Sequence, residues 1–248
     1  MESYSGRTNV LQHRAQAAFK GIMEEATGEL GLRRVDWLIQ QGGDGELAIL
    51  PPGTSERVVV SRLAPIVDRL LREHNQGLAS EAKVRLRIAV HQGLVHLDGA
   101  NGFPSEAIVH VCRLVDSPQL KAMLRRFPGA NVALIISDSL YHDVVRHYQD
   151  LRPEQFACVS ARLPEKNFNA TAWIYVPGEN AAELAAAIAE IAPARASGGV
   201  DRPASPPAEP RGGSQTFRDI NTNGPAMFGN HNTLDARGYP AHEPGPHE

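Results

Sequence analysis

A tight hairpin turn carries the residues of this sequence that are best suited to holding a metal ion. The turn reads Gly43-Asp44-Gly45 and is flanked by two short segments with apolar residues. A carboxylate in such a turn can bind a divalent cation. The sequence therefore predicts Asp44 as a metal ligand, with Gly43 and Gly45 as cofactor-binding residues beside it. Asp-Gly is also the commonest hairpin turn pair, so a purely structural role for Asp44 stays open.

Arg113 is the second residue suited to chemistry, because a guanidinium can hold phosphate charge. It lies on a predicted helix, where an ion pair on the helix surface is the simpler alternative. The histidines His91, His96 and His110 share no local ligand spacing, such as two positions four residues apart on one helix. They therefore predict no metal site of their own.

The composition is that of an ordinary globular protein. The 248 residues carry a net charge of −3, and neither the body nor the tail is basic enough to bind nucleic acid by bulk electrostatics. No segment has the apolar core of a signal peptide or approaches the ~20 apolar residues of a membrane span. We therefore expect a cytoplasmic protein that binds neither nucleic acid nor membrane. Cys112 and Cys158 are expected to be small buried side chains in a reducing compartment.

Hydrophobic periodicity predicts the elements that must position these residues. Helices are predicted at 9–26, with Asn9 as its cap, at 56–74, at 105–126 with a bend at Ser117-Pro118, and at 137–148. Strands are predicted at 35–40, 46–50, 84–91, 94–97, 131–136, 156–163 and 170–176. This mixture of strands and helices predicts an α+β fold with a mostly antiparallel sheet covered by helices.

The composition changes sharply after Gly178. Residues 179–248 hold nine of the 18 prolines, and only the alanine-rich segment 180–192 suggests a short helix. The rest is too poor in apolar residues to offset the entropy cost of ordering the chain. The sequence therefore predicts a folded domain at 1–178 and a flexible, disordered tail at 179–248.

Taken in order, the motifs of the body resemble the class III nucleotidyl cyclases, the family of most adenylate and guanylate cyclases. Gly43-Asp44-Gly45 resembles the hairpin that carries the family's second metal-binding aspartate. The run Arg87-Ile88-Ala89-Val90-His91-Gln92-Gly93 resembles the strand and turn R-I-G-I-H-x-G. The run Ala107-Ile108-Val109-His110-Val111-Cys112-Arg113-Leu114 resembles the helix V-N-x-A-A-R-L. The resemblance covers about 170 residues, and no single motif in it is specific.

The resemblance implies a fold, an activity and a set of roles. The fold would be a ferredoxin-like βαββαβ sheet that lacks its first strand. The active site would form between two subunits of a homodimer, where Mg²⁺ or Mn²⁺ binds with a nucleoside triphosphate. Arg113 would stabilise the transition state, and Lys166, in the loop before the last strand, would bind phosphate. A solvated loop position is the simpler reading of Lys166.

Several family positions are replaced. Val109 stands where the family has an asparagine that orients the ribose. Gln40 and Gly102 stand near the positions of the base-reading lysine and its acidic partner. The first metal-binding aspartate would fall immediately before Met1, because Ser3-Tyr4-Ser5 matches the end of its motif. Either the true start lies upstream of Met1, which we expect, or the first strand and its aspartate are lost.

We therefore predict a degenerate cyclase-like signalling module, non-catalytic or weakly active, that binds a nucleotide or a partner. The alternative is an active metal-dependent cyclase that converts ATP or GTP to a cyclic nucleotide, with its start upstream of Met1. Residues 215–235 contain the tail's cluster of large apolar residues, interleaved with four asparagines. This segment resembles the amyloid signalling motifs of some bacterial immune-type proteins and predicts self-assembly or a protein partner. A chance cluster in an ordinary tail and a motif that adds a strand to a partner's sheet both stay open.

Overall fold

The computed structural model describes residues 1–100 and 102–191. Six α-helices are present in that part: α1 (Asn9–Glu29), α2 (Glu56–Asn75), α3 (Glu106–Asp116), α4 (Pro118–Arg126), α5 (Asp138–Leu140) and α6 (Ala181–Ile191). The strands are β1 (Leu38–Gln41), β2 (Glu46–Ile49), β3 (Leu86–Val90), β4 (Val132–Ser137), β5 (Ala157–Leu163) and β6 (Phe168–Tyr175). The prediction of an α+β fold is confirmed.

The described strands form two separate sheets. β1 and β2 make an antiparallel hairpin, and the other four strands lie in the order β3-β4-β6-β5. β3 runs parallel to β4, while β4, β6 and β5 pair antiparallel. The larger sheet is therefore mixed.

Helices cover both faces of the larger sheet. On one face, α1 and α2 pack on a core that includes Leu86, Leu134 and Ile136. On the other face, α3, α4 and α6 pack on a core that includes Ile135 and Ile174. Every residue of β4 is buried, as expected for a central strand covered on both sides.

A network of buried polar side chains joins α2 to the start of the larger sheet. The Asn75 side-chain nitrogen donates to the Val84 carbonyl at 2.8 Å, and its oxygen accepts from the Val84 amide at 2.8 Å. The same nitrogen donates to Asn131 Oδ1 at 2.9 Å, and Asp68 Oδ1 accepts from the Asn131 amide at 3.1 Å. These bonds fix where β3 and β4 begin relative to α2.

Most of the predicted elements are present, with some corrections. The predicted strand at 94–97 is wrong, because the chain has no regular structure there. Thr8, rather than Asn9, caps α1 through a bond from the Leu11 amide, and α1 extends to Glu29. The helix predicted from Ser137 to Tyr148 is a short α-helix followed by a π-helical turn, Tyr141–Val145.

The bend predicted at Ser117-Pro118 divides two helices. Proline cannot continue α3, and Ser117 caps the start of α4 by accepting a bond from the Leu120 amide. The prediction that the cysteines are buried is wrong, since Cys112 and Cys158 are both exposed. They lie on the outward sides of α3 and β5, where their apolar neighbours point inward.

α6 lies beyond residue 178 and packs against the body. Leu184 and Ala187 are buried in the core beneath α4 and β5. The packed body therefore reaches at least residue 190. The predicted disordered tail from residue 192 onward and the predicted motif at 215–235 lie outside the described residues. No helix in the described ranges is both long and apolar enough to cross a membrane.

Candidate functional site

An open cleft of about 540 Å³ lies at the turn of the hairpin. The first five residues form one wall, and Gly43 and Asp44 form another. Three basic side chains, Arg87, Lys121 and Arg125, complete the lining. The cleft thus combines the exposed carboxylate of Asp44 and the side chain of Glu2 with three basic side chains.

Two elements supply the basic side chains. Arg87 projects from β3, and Lys121 and Arg125 lie four residues apart on α4, so they share one helix face. Arg85 holds the end of α4 in place: its Nε donates to the Ala130 carbonyl at 2.8 Å and its Nη2 to the Phe127 carbonyl at 2.7 Å. Burial lowers the pKa of Arg85. Arg85 therefore positions the helix that carries two of the three cations.

The hairpin is held from both sides. Gln16 Nε2 on α1 donates to the Gly43 carbonyl at 2.8 Å. Arg34 and Glu46, both with largely buried side chains, form an ion pair at the start of β2. Since the surroundings fix the turn, the Asp44 carboxylate has a defined place in the cleft.

The glycines of the turn have no obvious structural reason to be glycine. Neither Gly43 nor Gly45 takes a left-handed φ. A Cβ atom at either position would meet no described atom within 4 Å. The space beside Gly43 is the cleft itself, so a bare backbone there favours the close approach of a ligand.

The N-terminal residues line the cleft beside Asp44. The Met1 nitrogen lies 2.7 Å from the Asp44 main-chain oxygen and 3.4 Å from its Oδ2. Ser3 has a φ of 52°, a left-handed value that is uncommon for a residue other than glycine. Non-glycine residues held in this conformation are enriched at ligand-binding and active sites.

The structure places Arg113 and Lys166 together, beside the cleft rather than in it. Arg113 Nη1 donates to the Lys166 carbonyl, and the guanidinium lies 5.9 Å from the Phe168 ring centre. Asp116 links this pair to the cleft. Asp116 Oδ2 lies 4.0 Å from the Lys166 Nζ, and Asp116 Oδ1 lies 3.4 Å from the Lys121 Nζ. Within one chain, the cleft that contains Asp44 is not lined by Arg113.

A second cavity, of about 390 Å³, adjoins β1 of the hairpin at Gln40. It is lined by Gln40 and by the apolar side chains of Phe103, Pro104 and Ile108. Gly102 lies against Gln40: a Cβ built on it would be 3.4 Å from Gln40 Oε1. The two positions that the resemblance assigns to base reading, 62 residues apart in sequence, therefore adjoin in space. Val109, one residue beyond Ile108, is 49% exposed.

His91 and His110 form a ring pair that their sequence spacing did not predict. Their ring centres are 4.5 Å apart, and Phe168 meets His110 edge-on at 5.3 Å. His91 Nδ1 and His110 Nε2 are buried without a hydrogen-bond partner among the described residues. Burial first, and the proximity of His110 second, lower the pKa of His91 to about 4. Burial also lowers the pKa of His110.

This pair predicts that the protein loses stability in acid. An unfolded histidine titrates near pH 6.5, so between about pH 6.5 and about pH 4 the unfolded chain binds the proton that folded His91 excludes. The stability contributed by neutral His91 is therefore present above pH 6.5 and lost as the pH falls toward 4. We expect the urea midpoint to fall between about pH 7.5 and about pH 4.5, and to fall less in a His91→Gln variant. His13, exposed on α1, supplies the control: His13→Gln should leave the dependence on pH unchanged, and an equal loss in all three proteins would contradict the prediction.

In the described part of the chain, no group of three or more His, Cys, Asp or Glu side chains is placed to hold a metal ion. Among the described residues, Asp44 would therefore hold a metal only together with water or a bound molecule. Mg²⁺ is commonly held in this way, by one or two carboxylates together with substrate phosphates. The residues present thus fit a metal that arrives with a nucleotide better than a metal bound alone.

Sequence reasoning missed the three basic residues of the cleft as a group. Arg87 was part of a motif but had no assigned role, and the spacing of Lys121 and Arg125 was a signal that both share a helix face. Their approach to Asp44 depends on the packing of α4 and β3, which local patterns do not reveal. Comparison with known proteins gave no match: no family model, curated protein or solved structure is significantly similar to the chain.

Proposed function

We propose that this chain is a nucleotide-binding signalling module of the nucleotide-cyclase type, with weak or no catalytic activity. The observation that supports it most directly is the single cleft that Asp44 lines together with Arg87, Lys121 and Arg125. A nucleoside triphosphate with its Mg²⁺ or Mn²⁺ needs a carboxylate for the metal and cations for the phosphates. Both are present within one cleft. The same proposal includes the fold: the hairpin and β3 would belong to a ferredoxin-like sheet.

The second cavity supports a nucleotide over a simple polyphosphate. Phe103, Pro104 and Ile108 offer apolar walls suited to a planar base, and Gln40 offers an amide that can both donate and accept hydrogen bonds. Gln40 lies on β1, the strand that also leads into the turn carrying Asp44. A single hairpin would thus touch both ends of the ligand.

Weak catalysis follows from the residues that the site lacks. Val109 has no amide to orient a ribose, and loss of one donor of this kind costs about 2.7–4 kcal/mol in comparable electrostatic roles.

Arg113 and Lys166 would have to act from a second subunit, because one chain keeps them outside the Asp44 cleft. A homodimer is therefore part of the proposal. The exposed apolar side chains Leu94, Leu97 and Val109, around the β3–α3 connection, are consistent with such an interface.

Calorimetric titration tests the proposal. The full chain should bind ATP or GTP in the presence of Mn²⁺, and should bind the corresponding nucleoside much more weakly, because the cleft supplies charge for phosphates. Absence of binding by both triphosphates, at moderate ionic strength and with Mn²⁺ in excess, would refute it.

An active cyclase is the second candidate, and one observation favours it. The Met1 nitrogen lies 3.4 Å from the Asp44 Oδ2, so a residue joined to it would begin close to the Asp44 carboxylate. An aspartate at that position would complete a pair of metal-binding carboxylates. Formation of a cyclic nucleotide by a chain extended upstream, with loss of the product in Asp44→Ala, would favour this candidate over the first.

The tail motif remains a sequence-based prediction. A synthetic peptide of residues 215–235 is expected to assemble into dye-positive fibrils, because its asparagines can stack along a fibril axis and its alternate apolar residues can pack between sheets. The control is the same peptide with Ile220 and Phe228 replaced by serine, which should stay monomeric. If the native peptide also stays monomeric for days, self-assembly of this segment is excluded.

A further inference from the structure

Asp116 pairs with two lysines that belong to different parts of the surface. It is the last residue of α3, and its Oδ1 lies 3.4 Å from the Nζ of Lys121 on α4. Its Oδ2 lies 4.0 Å from the Nζ of Lys166, in the connection between β5 and β6. Lys121 lines the cleft that contains Asp44, whereas Lys166 and Asp116 do not.

The junction between α3 and α4 sets the position of this carboxylate. Ser117, which follows Asp116 directly, is fully buried. Its Oγ donates to the Leu114 carbonyl at 2.7 Å and accepts from the Leu120 amide at 3.4 Å. Since these bonds hold the ends of the two helices together, the backbones of Asp116 and Lys121 keep a constant separation. A change of partner by Lys121 therefore needs only rotation of its own side chain.

The connection that carries Lys166 is held to the same helix. Arg113, three residues before Asp116 on α3, donates from Nη1 to the Lys166 carbonyl. Asn167 has a φ of 47°, so the 3-10 turn Pro164–Lys166 ends in a left-handed conformation. The backbones on both sides of Asp116 are thus fixed, and the lysine side chains are the parts that can move.

Asp116 reduces the charge that Lys121 offers to a ligand in the cleft. A carboxylate 3.4 Å from an ammonium cancels part of the field that the ammonium exerts on a third, more distant charge. Lys121 and Arg125 share one face of α4, so a phosphate near both meets one arginine and one lysine that is already paired. Contact of the phosphate with the Lys121 Nζ would compete with this pair.

We propose that Asp116 is a positioning residue that lowers the affinity of the cleft for phosphate by holding Lys121 as its counter-ion. The inference rests on the proposed function, because it takes the ligand to be a metal–nucleoside triphosphate. A phosphate that takes Lys121 leaves Asp116 to Lys166 alone. Binding in the cleft is thus linked to the connection between β5 and β6, which also contacts Arg113.

Binding measurements on four proteins test this inference: the native chain, Asp116→Asn, Lys121→Met and the double variant. The ligand is whichever of ATP and GTP binds the native chain more tightly, with Mn²⁺ in excess. Asp116→Asn should bind about two- to fivefold more tightly, the range expected when one exposed ion pair is lost. In the Lys121→Met background the same change should have little effect, because the lysine that Asp116 neutralises is then absent.

Glu190→Gln is the matched control for net charge. It also removes one negative charge, but Glu190 pairs with Arg126 at 3.5 Å and does not line the cleft. Its affinity should equal that of the native chain. Three results would each overturn this inference alone: an equal gain in Glu190→Gln, no gain in Asp116→Asn, or a full gain in the Lys121→Met background. If none of the proteins binds either triphosphate, the proposed function fails as well.

Cross-linking with a water-soluble carbodiimide tests the exchange of partners. The reagent activates the Asp116 carboxylate, and the Lys121 amine displaces it to form an amide, with net loss of water. The link should form at higher yield in the native chain without ligand than in the chain unfolded in urea. Saturation with the triphosphate and Mn²⁺ should lower the yield of this link and raise that of the link between Asp116 and Lys166. A yield that folding does not raise, or that a bound triphosphate does not lower, would show that Asp116 does not hold Lys121 in the way proposed.

Discussion

Replacement of Arg87 by alanine is expected to weaken binding of a metal–nucleoside triphosphate by about 10- to 100-fold. A hydrogen bond to a charged group contributes about 1.5–3 kcal/mol, and each 1.4 kcal/mol corresponds to a factor of ten. Arg87 projects from β3, whose backbone is fixed by its pairing with β4, so little order is lost when its side chain binds phosphate. Its Nε is buried without a hydrogen-bond partner among the described residues.

Arg126 offers a matched control for this experiment. It lies on α4 next to Arg125, but its Nε is 3.5 Å from Glu190 on α6 and it does not line the cleft. Calorimetry at fixed salt should show Arg126→Ala binding as the native chain does. An equal loss of affinity in Arg87→Ala and Arg126→Ala would mean that only the overall charge matters. The cleft would then not be the binding site.

Replacement of Asn75 by alanine is expected to lower the free energy of unfolding by about 3–5 kcal/mol. The change removes three hydrogen bonds and leaves the Val84 amide, the Val84 carbonyl and Asn131 Oδ1 buried without this partner. Each such group costs about 1–3 kcal/mol, and partial relaxation reduces the sum. The effect is large because Asn75 is 6% exposed, which leaves little access for water to replace its bonds.

Chemical denaturation of the full chain measures this change, with Asn9→Ala as the control. Asn9 is exposed at the start of α1, where substitutions usually change stability by less than about 0.5 kcal/mol. A loss below about 1 kcal/mol in Asn75→Ala would show that the network does not hold α2 to the sheet. The start of β3, and with it Arg85 and Arg87, would then need another explanation.

The sequence predicted the elements whose pattern is local. α2 and β4 follow from periodicity alone, since one has a clear apolar stripe and the other is a short, fully apolar run. The strand predicted at 94–97 failed because a short, mostly apolar segment does not by itself supply a neighbouring strand to pair with. Cys112 and Cys158 failed for a related reason: a small apolar side chain is compatible with either side of an element, and the fold turned both outward.

The residues of the candidate site likewise fall into two groups, those predictable from local sequence and those brought together by tertiary packing. Asp44 was predictable because a single turn carries it, and Arg113 because one helix motif carries it. The approach of Lys121 and Arg125 to Asp44 depends on the crossing of α4 over β3, which is set by Arg85 and its bonds to the end of that helix. The contact between Gln40 and Gly102 and the pairing of His91 with His110 are likewise products of tertiary packing.

The metal dependence of nucleotide binding tests the central claim most directly. Binding of a fluorescent nucleoside triphosphate is measured with and without Mn²⁺, in the native chain and in Asp44→Asn, which keeps the shape of the side chain but removes its charge. If Asp44 and the basic side chains form one metal–triphosphate site, Mn²⁺ should strengthen binding markedly in the native chain and much less in Asp44→Asn. The same Mn²⁺ dependence in both proteins, or no binding by either, would contradict the account.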